Sequence, residues 1–325
     1  MPKARYRQMS LDVTPYYHCT SRCVRRAFLC GVDGFTGKSY EHRRQWVEDR
    51  ILLLAEAFAI DVCAYAVMSN HLHLVLHVNK ALAESLTPLQ VVERWHRLYK
   101  GTLLTQRFLS GEGMSMAEQD AVDIKIALWR KQLMDISWFM RALNEPIARQ
   151  ANAEDQCTGK FWEARYTSQA LLDETALLAC MAYVDLNPIR AMLAETPETS
   201  DHTSIKLRLG ILQAHGQHPP QLAPFVGGQR QDHNTGLAFE LKDYLELVDW
   251  TGRAVRTDKR GAINQSLPPI LERLQIPAHR WLKLSTLFKR QGKSLVGPSL
   301  KVRLAAECLG YQRAPGLGSA LLYFP

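Results

Sequence analysis

The chain has 325 residues, enough for one large or two moderate domains, and 46% of them are hydrophobic and 22% charged, as in ordinary globular proteins. Its seven cysteines include no CxxC pair, and no signal peptide or span of about 20 apolar residues is visible, so we expect a reduced, cytoplasmic protein with no membrane partner. The net charge of +8 is unevenly distributed, with a basic C-terminal segment on a near-neutral body, and this suggests a polyanionic partner.

The hydrophobic pattern predicts alternating strands and helices. Predicted strands lie at residues 16–24, 62–68, 71–78 and 159–171. Predicted helices lie at 41–60, 88–99, 117–133 (inside an insertion at about 101–134), 136–153 and 173–193. This order predicts an α+β fold, in which a small antiparallel sheet has helices on one face.

Three parts follow along the chain. Residues 1–195 are expected to form the sheet-containing domain, and residues 196–240, rich in Pro, Gly, His and Gln, read as a linker. Residues 241–325 read as a mainly helical C-terminal region. Because residues 251–325 carry a net charge of +10, we expect this region to bind DNA, although a solubilising surface gives the same pattern. The candidate phosphate contacts in its expected loops are Arg256, Lys259, Arg260, Lys289, Arg290 and Lys293.

The strand at 71–78 has two chemically different faces. Because strand side chains alternate, residues 72, 74, 76 and 78 form an apolar face, while His71, His73, Val75 and His77 share the other. Imidazoles two residues apart lie about 6–7 Å from each other along a strand and can converge on one divalent ion. His77 lies too far along the strand to join them and reads as structural or DNA-contacting. Taken alone, the histidine pair is also consistent with histidines that pack in the core or lie on the surface and bind no metal.

A second chemistry-bearing group lies on the predicted helix at 173–193. Tyr183 and Asn187 are four residues apart, so they share one helical face. A phenol is a nucleophile, and an amide oxygen beside two imidazoles suits Mg²⁺ or Mn²⁺. The alternative for Asn187 is a local hydrogen bond near Pro188, where the helix is expected to kink or end. The competing tyrosines are Tyr65, Tyr99 and Tyr166.

Three segments carry a family resemblance: His71–His73 (HLH), Phe161–Tyr166 (FWEARY) and Tyr183–Arg190 (YVDLNPIR). In order and spacing they resemble the REP-associated tyrosine transposases, which belong to the insertion-sequence-200-like, single-tyrosine HUH transposase family. The resemblance covers roughly residues 10–205. The insertion and the long C-terminal region depart from the short members of that family.

The resemblance implies a ferredoxin-like HUH endonuclease core that cleaves single-stranded DNA through a 5′-phosphotyrosyl intermediate, often beside a hairpin or palindromic repeat. By position it implies His71 and His73 as metal ligands, Tyr183 as the nucleophile and Asn187 as the third ligand. The implied partner is DNA, so the protein is expected at the nucleoid, as a monomer or a homodimer.

Two more arginines are candidates. Arg165 and Arg190 lie in the segments that carry the resemblance, and they read either as phosphate contacts or as ordinary surface residues.

The expected function is therefore that of a metal-dependent single-strand DNA endonuclease and strand-transferase, a transposase that nicks and religates. One alternative is a sequence-specific DNA-binding protein that does not cleave, in which the basic residues after 250 read the DNA. Another is a metal hydrolase of a small phosphoester, whose activity survives loss of Tyr183.

Overall fold

A computed structural model describes residues 9–24, 28–227, 236–255, 268–291 and 294–324. Its strands are β1 (Tyr16–Arg22), β2 (Ile60–Val67), β3 (His71–Val78), β4 (Thr167–Leu171) and β5 (Leu295–Val296). Its helices are α1 (Arg43–Ala57), α2 (Lys80–Ser85), α3 (Pro88–His96), α4 (Leu103–Leu109), α5 (Met116–Leu133), α6 (Ile136–Glu154), α7 (Glu174–Asp185), α8 (Asn187–Arg190), α9 (Ser204–His215), α10 (Leu241–Val255), α11 (Pro269–Arg273), α12 (Ala278–Gln291), α13 (Ser299–Cys308) and α14 (Leu317–Tyr323).

The sheet has the strand order β2-β3-β1-β4-β5. Strand β3 is antiparallel to both of its neighbours, β2 and β1, and β1 is antiparallel to β4. Strands β1 and β2 therefore run parallel on either side of β3, and β3 and β4 run parallel on either side of β1. Helices α1 and α6 precede the second strand of each pair, which makes the chain order βαββαβ. The predicted α+β class with a ferredoxin-like antiparallel sheet is therefore confirmed. The short strand β5 is added parallel to β4.

Alternation along β3 separates two apolar cores. On one face Leu72, Leu74 and Leu76 pack with Ile51 of α1 and Phe139 of α6. This is the single helical layer that the sequence predicts. The helical crossovers of both parallel pairs therefore lie on the leucine face of the sheet.

The other face is also covered, which differs from the prediction of helices on one face only. There Val75 shares a core with α7 and with buried residues of α10 and α12. The reason lies in α7, in which every residue from Thr175 to Asp185 is buried. A helix that is apolar all round has no face to present to water, so it must be packed on both sides. The C-terminal helices provide that second layer.

Residues 196–227 are folded, in contrast to the predicted linker. Helix α9 lies beside β2, and Thr203 caps its first turn by accepting a hydrogen bond from the amide of Lys206. Arg208 is buried and donates to the carbonyls of Cys63 and Ala223. Polar side chains thus tie this stretch to the sheet, a role that its composition does not reveal. Helices α10, α11 and α12 share one core with α7, whereas the buried residues of α13 belong to the core on the leucine face of the sheet.

The predicted strand at 159–171 is shorter than expected, since β4 begins only at Thr167. Ahead of it, Trp162 donates its indole N–H to the carbonyl of Asn144, and Gly159 has φ +119°, a conformation that favours glycine. The predicted insertion holds two helices, α4 and α5, and Trp129 of α5 stacks on Trp95 of α3. No helix in the described part of the chain is long and apolar enough to cross a membrane.

A buried carboxylate joins the end of α7 to the later helices. Asp185 is 1% exposed and accepts hydrogen bonds from Ser204 Oγ at 2.5 Å, the amide of Ile205 at 3.1 Å and the hydroxyl of Tyr244 at 2.5 Å. Burial raises the pKa of Asp185 to about 6, against the opposing effects of these donors and of nearby Arg208. One ionisable group therefore links α7, α9 and α10.

We expect this raised pKa to appear in the pH dependence of stability. Between pH 4 and pH 6 the folded chain binds a proton at Asp185 that the unfolded chain releases, so the free energy of unfolding falls as pH rises through this window. The difference between the ordinary pKa of 3.8 and the folded-state pKa of about 6 corresponds to a loss of up to about 3 kcal/mol in the free energy of unfolding, which Asp185→Asn would not show. Urea titrations of the unaltered protein and of Asp185→Asn from pH 4 to pH 7 measure this difference. The same dependence of the free energy of unfolding on pH in both proteins would contradict the prediction.

Candidate active site

The histidine pair lies at the start of β3, an interior strand of the sheet, on the face that α7 covers. Strand β3 is paired on both sides, so its side chains are held firmly above and below the sheet. The rings of His71 and His73 lie edge to face with their centroids 4.8 Å apart. His73 is fully buried and His71 is partly exposed. The predicted pair is thus a compact unit with one accessible member.

Tyr183 reaches this pair from α7. Its ring meets the ring of His73 nearly at a right angle, with the centroids 5.6 Å apart. The tyrosine is only 7% exposed. The structure thus brings the predicted nucleophile and the predicted metal-binding strand together within one chain.

The competing tyrosines lie elsewhere. Tyr65, Tyr99 and Tyr166 all pack into the core on the leucine face of the sheet. Tyr65 donates its hydroxyl hydrogen to Glu48 at 2.5 Å, and burial raises its pKa well above the ordinary value. Among these four tyrosines, Tyr183 is the one beside the histidines.

A third histidine, which sequence reasoning missed, completes the cluster. His18 of β1 is 2% exposed, and its ring stacks on His73 with centroids 5.1 Å apart. Its Nε2 lies 2.9 Å from Nδ1 of His73, and its Nδ1 lies 2.7 Å from Oε1 of Gln169 on β4. The sequence offered one signal for His18, which is its position inside the predicted strand 16–24. Which strand lies beside it depends on long-range pairing, which one sequence does not show.

Asn187 begins the short helix α8 and does not continue α7. The break follows from Pro188, which has no N–H to donate and fits the start of a helix. Asn187 is 8% exposed, and its Nδ2 makes no hydrogen bond within the part of the chain that the structure describes. No group of three His, Cys, Asp or Glu side chains among the described residues is arranged to hold a metal. A metal site here would therefore need an amide or a substrate oxygen in addition to the imidazoles.

Arg190 packs against Tyr183 and so differs from a surface arginine that reads phosphate. The carbon atom at the centre of its guanidinium lies 3.8 Å from the centroid of the tyrosine ring. Its Nη2 donates to the carbonyl of Tyr183 at 2.9 Å, and its Nη1 donates to the carbonyl of Thr286 on α12 at 2.7 Å. Burial lowers its pKa. Arg190 thus fastens α12 to the tyrosine.

Helix α12 also covers the site through Phe288. The ring of Phe288 lies 5.8 Å from that of Tyr183 and 5.9 Å from that of His18. Phe288 is 1% exposed, so the three aromatic rings exclude water from this side of the cluster. The C-terminal region therefore takes part in the construction of the site.

Of the other predicted DNA contacts, the structure describes the side chains of Arg165 and His77. Arg165 is exposed, ahead of β4, and His77 is held by Asp61, whose Oδ2 lies 2.8 Å from its Nδ1. Lys289 and Arg290 belong to α12, but their side chains lie outside what the structure describes. Arg256, Lys259, Arg260 and Lys293 lie outside the described residues altogether.

We predict that Arg190→Met lowers the free energy of unfolding by about 2–4 kcal/mol, because two carbonyls lose a charged donor and a ring loses its cation. Arg165→Met is the matched control, since an exposed arginine contributes within about 0.5 kcal/mol. Urea denaturation of both variants measures the difference. Equal stability of the two variants would show that the contacts of Arg190 do not stabilise the fold.

No family model matches the sequence, and no curated protein matches it either. A solved structure of a REP-associated tyrosine transposase bound to a REP hairpin is similar to this chain at 14% sequence identity and a TM-score of 0.34. The match covers 68% of this chain and 90% of that one.

Proposed function

We propose that this protein is a metal-dependent single-strand DNA endonuclease and strand-transferase that uses Tyr183 as its nucleophile. The observation that carries the proposal is the contact between the rings of Tyr183 and His73, 5.6 Å apart, on the side of the sheet turned away from the leucine core. A phenol beside two imidazoles supplies both a nucleophile and ligands for a divalent ion.

His71 and His73 would hold Mg²⁺ or Mn²⁺, with the buried amide of Asn187 as the third ligand. The chemistry of this donor set, two neutral nitrogens and one oxygen, suits such an ion. When bound, the ion polarises the scissile phosphate and neutralises charge on a non-bridging oxygen. The partly exposed His71 marks the side from which a phosphodiester would enter.

In the cleavage step the phenolic oxygen of Tyr183 forms a bond to phosphorus, and the bond from phosphorus to the 3′-oxygen breaks. The phenol releases its proton, and the departing 3′-oxygen takes one up to become a hydroxyl. The guanidinium of Arg190 above the ring stabilises the negative charge that develops on the phenol. Attack by the 3′-hydroxyl of another strand reverses the step and transfers the strand.

The proposed substrate is single-stranded DNA that carries a hairpin or palindromic repeat. The net charge of +8, and of +10 over residues 251–325, supports a nucleic acid partner. Because the nucleophile and both imidazoles belong to one chain, a monomer contains the parts needed for one cleavage.

The cover that α12 places over Tyr183 favours a second candidate function, DNA binding without cleavage. A phenol that is 7% exposed reaches phosphorus only if Phe288 moves or the strand enters beside it. In that case the protein would bind the same DNA and form no covalent link.

The first test is covalent trapping. With hairpin-bearing single-stranded DNA and Mn²⁺, we expect a protein–DNA adduct that survives denaturing electrophoresis and disappears in Tyr183→Phe. Tyr166→Phe is the matched control, because that tyrosine lies in the leucine-face core. An adduct that Tyr183→Phe still forms would exclude Tyr183 as the nucleophile. DNA binding by the unaltered protein without an adduct would favour the second candidate function.

The second test concerns the ion. We expect His71→Ala to weaken Mn²⁺ binding and to abolish cleavage at limiting Mn²⁺, because one of two imidazole ligands is lost. His77→Ala, on the same face of the same strand, is the control for Mn²⁺ binding. Cleavage by His71→Ala at the unaltered rate and with the same Mn²⁺ requirement would exclude His71 as a ligand.

A further inference from the structure

A row of hydrogen-bonded side chains crosses three neighbouring strands beneath Tyr183. Gln169 of β4 is paired in register with His18 of β1, and His18 lies diagonally across from His73 of β3, whose direct partner on β1 is Thr20. The contacts are 2.7 Å from Gln169 Oε1 to His18 Nδ1 and 2.9 Å from His18 Nε2 to His73 Nδ1. The row ends at the histidine that meets Tyr183.

The donor and acceptor atoms in the row determine the direction of its hydrogen bonds. An amide oxygen only accepts, so Nδ1 of His18 carries the hydrogen that Gln169 receives. In a neutral imidazole the other nitrogen then has a lone pair, so Nε2 of His18 accepts from Nδ1 of His73. The hydrogen of neutral His73 is thereby held on Nδ1, and its Nε2 has the lone pair that a metal ligand needs.

His71 is held in the same tautomer by a different neighbour. Its Nδ1 lies 2.7 Å from Oδ1 of Asn70, which is again an oxygen that only accepts. Two independent contacts, one within the turn before β3 and one across the sheet, thus leave Nε2 as the basic nitrogen of both histidines.

We propose that Asn70 and the pair His18–Gln169 are positioning residues that fix Nε2 of His71 and His73 as metal-ligating nitrogens. The inference rests on the proposed function, in which these two histidines hold the ion. Groups that hydrogen-bond to the second ring nitrogen orient a metal-ligating imidazole and raise its basicity, and their loss commonly costs about 10–100-fold in metal affinity.

The test compares two substitutions at His18. In His18→Phe a flat ring still stacks on His73 and still meets Tyr183 and Phe288, but the acceptor is gone. His18→Gln loses the ring and keeps an oxygen that can accept from Nδ1 of His73. We expect Mn²⁺ affinity, measured by titration calorimetry on the full chain, to fall about 10–100-fold in His18→Phe and to be largely retained in His18→Gln.

A second pair of variants tests the direction of the row. Gln169→Glu still presents an acceptor to His18, whereas Gln169→Leu presents none. We expect Gln169→Glu to bind Mn²⁺ at least as tightly as the unaltered protein, and Gln169→Leu to bind it more weakly. Equal losses in both variants would overturn the assigned direction, and Mn²⁺ affinity unchanged in His18→Phe would overturn the role of the row.

A metal-free readout separates this inference from the proposed function. In protein labelled with ¹⁵N at histidine, two-bond ring couplings identify the protonated nitrogen, and we expect Nδ1 for both His71 and His73. In His18→Phe we expect this state to be lost at His73 and kept at His71, with thermal unfolding as the control for an intact fold. Hydrogen at Nε2 of either histidine in the unaltered protein would overturn the inference. Correct tautomers without any Mn²⁺ binding would instead count against the proposed function.

Discussion

The whole arrangement depends on the need to bury α7 on every side. A helix whose residues from Thr175 to Asp185 are all buried stabilises the fold only when it is packed both below and above. Below it lies the histidine face of the sheet, and above it lie α10 and α12. The histidines of β3 are therefore beneath a helix that has no other place to pack, and Tyr183 meets His73 as a consequence.

Burial of this kind brings polar groups into the interior, and each of them needs a partner. The carbonyl groups of Tyr183 and Thr286 are satisfied by Arg190, and the carboxylate of Asp185 by Ser204, Ile205 and Tyr244. The residues that these hydrogen bonds join lie between 7 and 96 positions apart in the chain. The same contacts that satisfy buried polar groups therefore join the C-terminal helices to the sheet. This explains why the predicted boundary between a sheet domain, a linker and a helical region does not correspond to separate cores.

The features that could be predicted from the sequence are those that depend on local periodicity. Alternation in β3 separates His71 and His73 from the leucines, and the spacing of apolar residues places α1 and α6. The features that could not be predicted depend on contacts between distant segments. His18 joins the cluster through strand pairing, and Arg190 joins Tyr183 to Thr286 of α12, which lies 96 residues further along the chain. Helix α9 is held by polar side chains such as Arg208, which no hydrophobic pattern reveals.

The cover over the site bears on which chemistry it suits. A phosphotyrosyl bond that is to be passed to a 3′-hydroxyl must survive until that strand arrives, and water is its chief competitor. Tyr183 is enclosed by His18, His73, Phe288 and Arg190. Under the proposed function, the low dielectric there would strengthen the attraction between the guanidinium and a developing phenolate. A hydrolase of small phosphoesters needs the opposite, an open position for water beside the ion. Among the functions considered, the enclosed tyrosine therefore fits strand transfer better than hydrolysis. For a phosphodiester to reach Tyr183, either Phe288 would move or the strand would enter beside it.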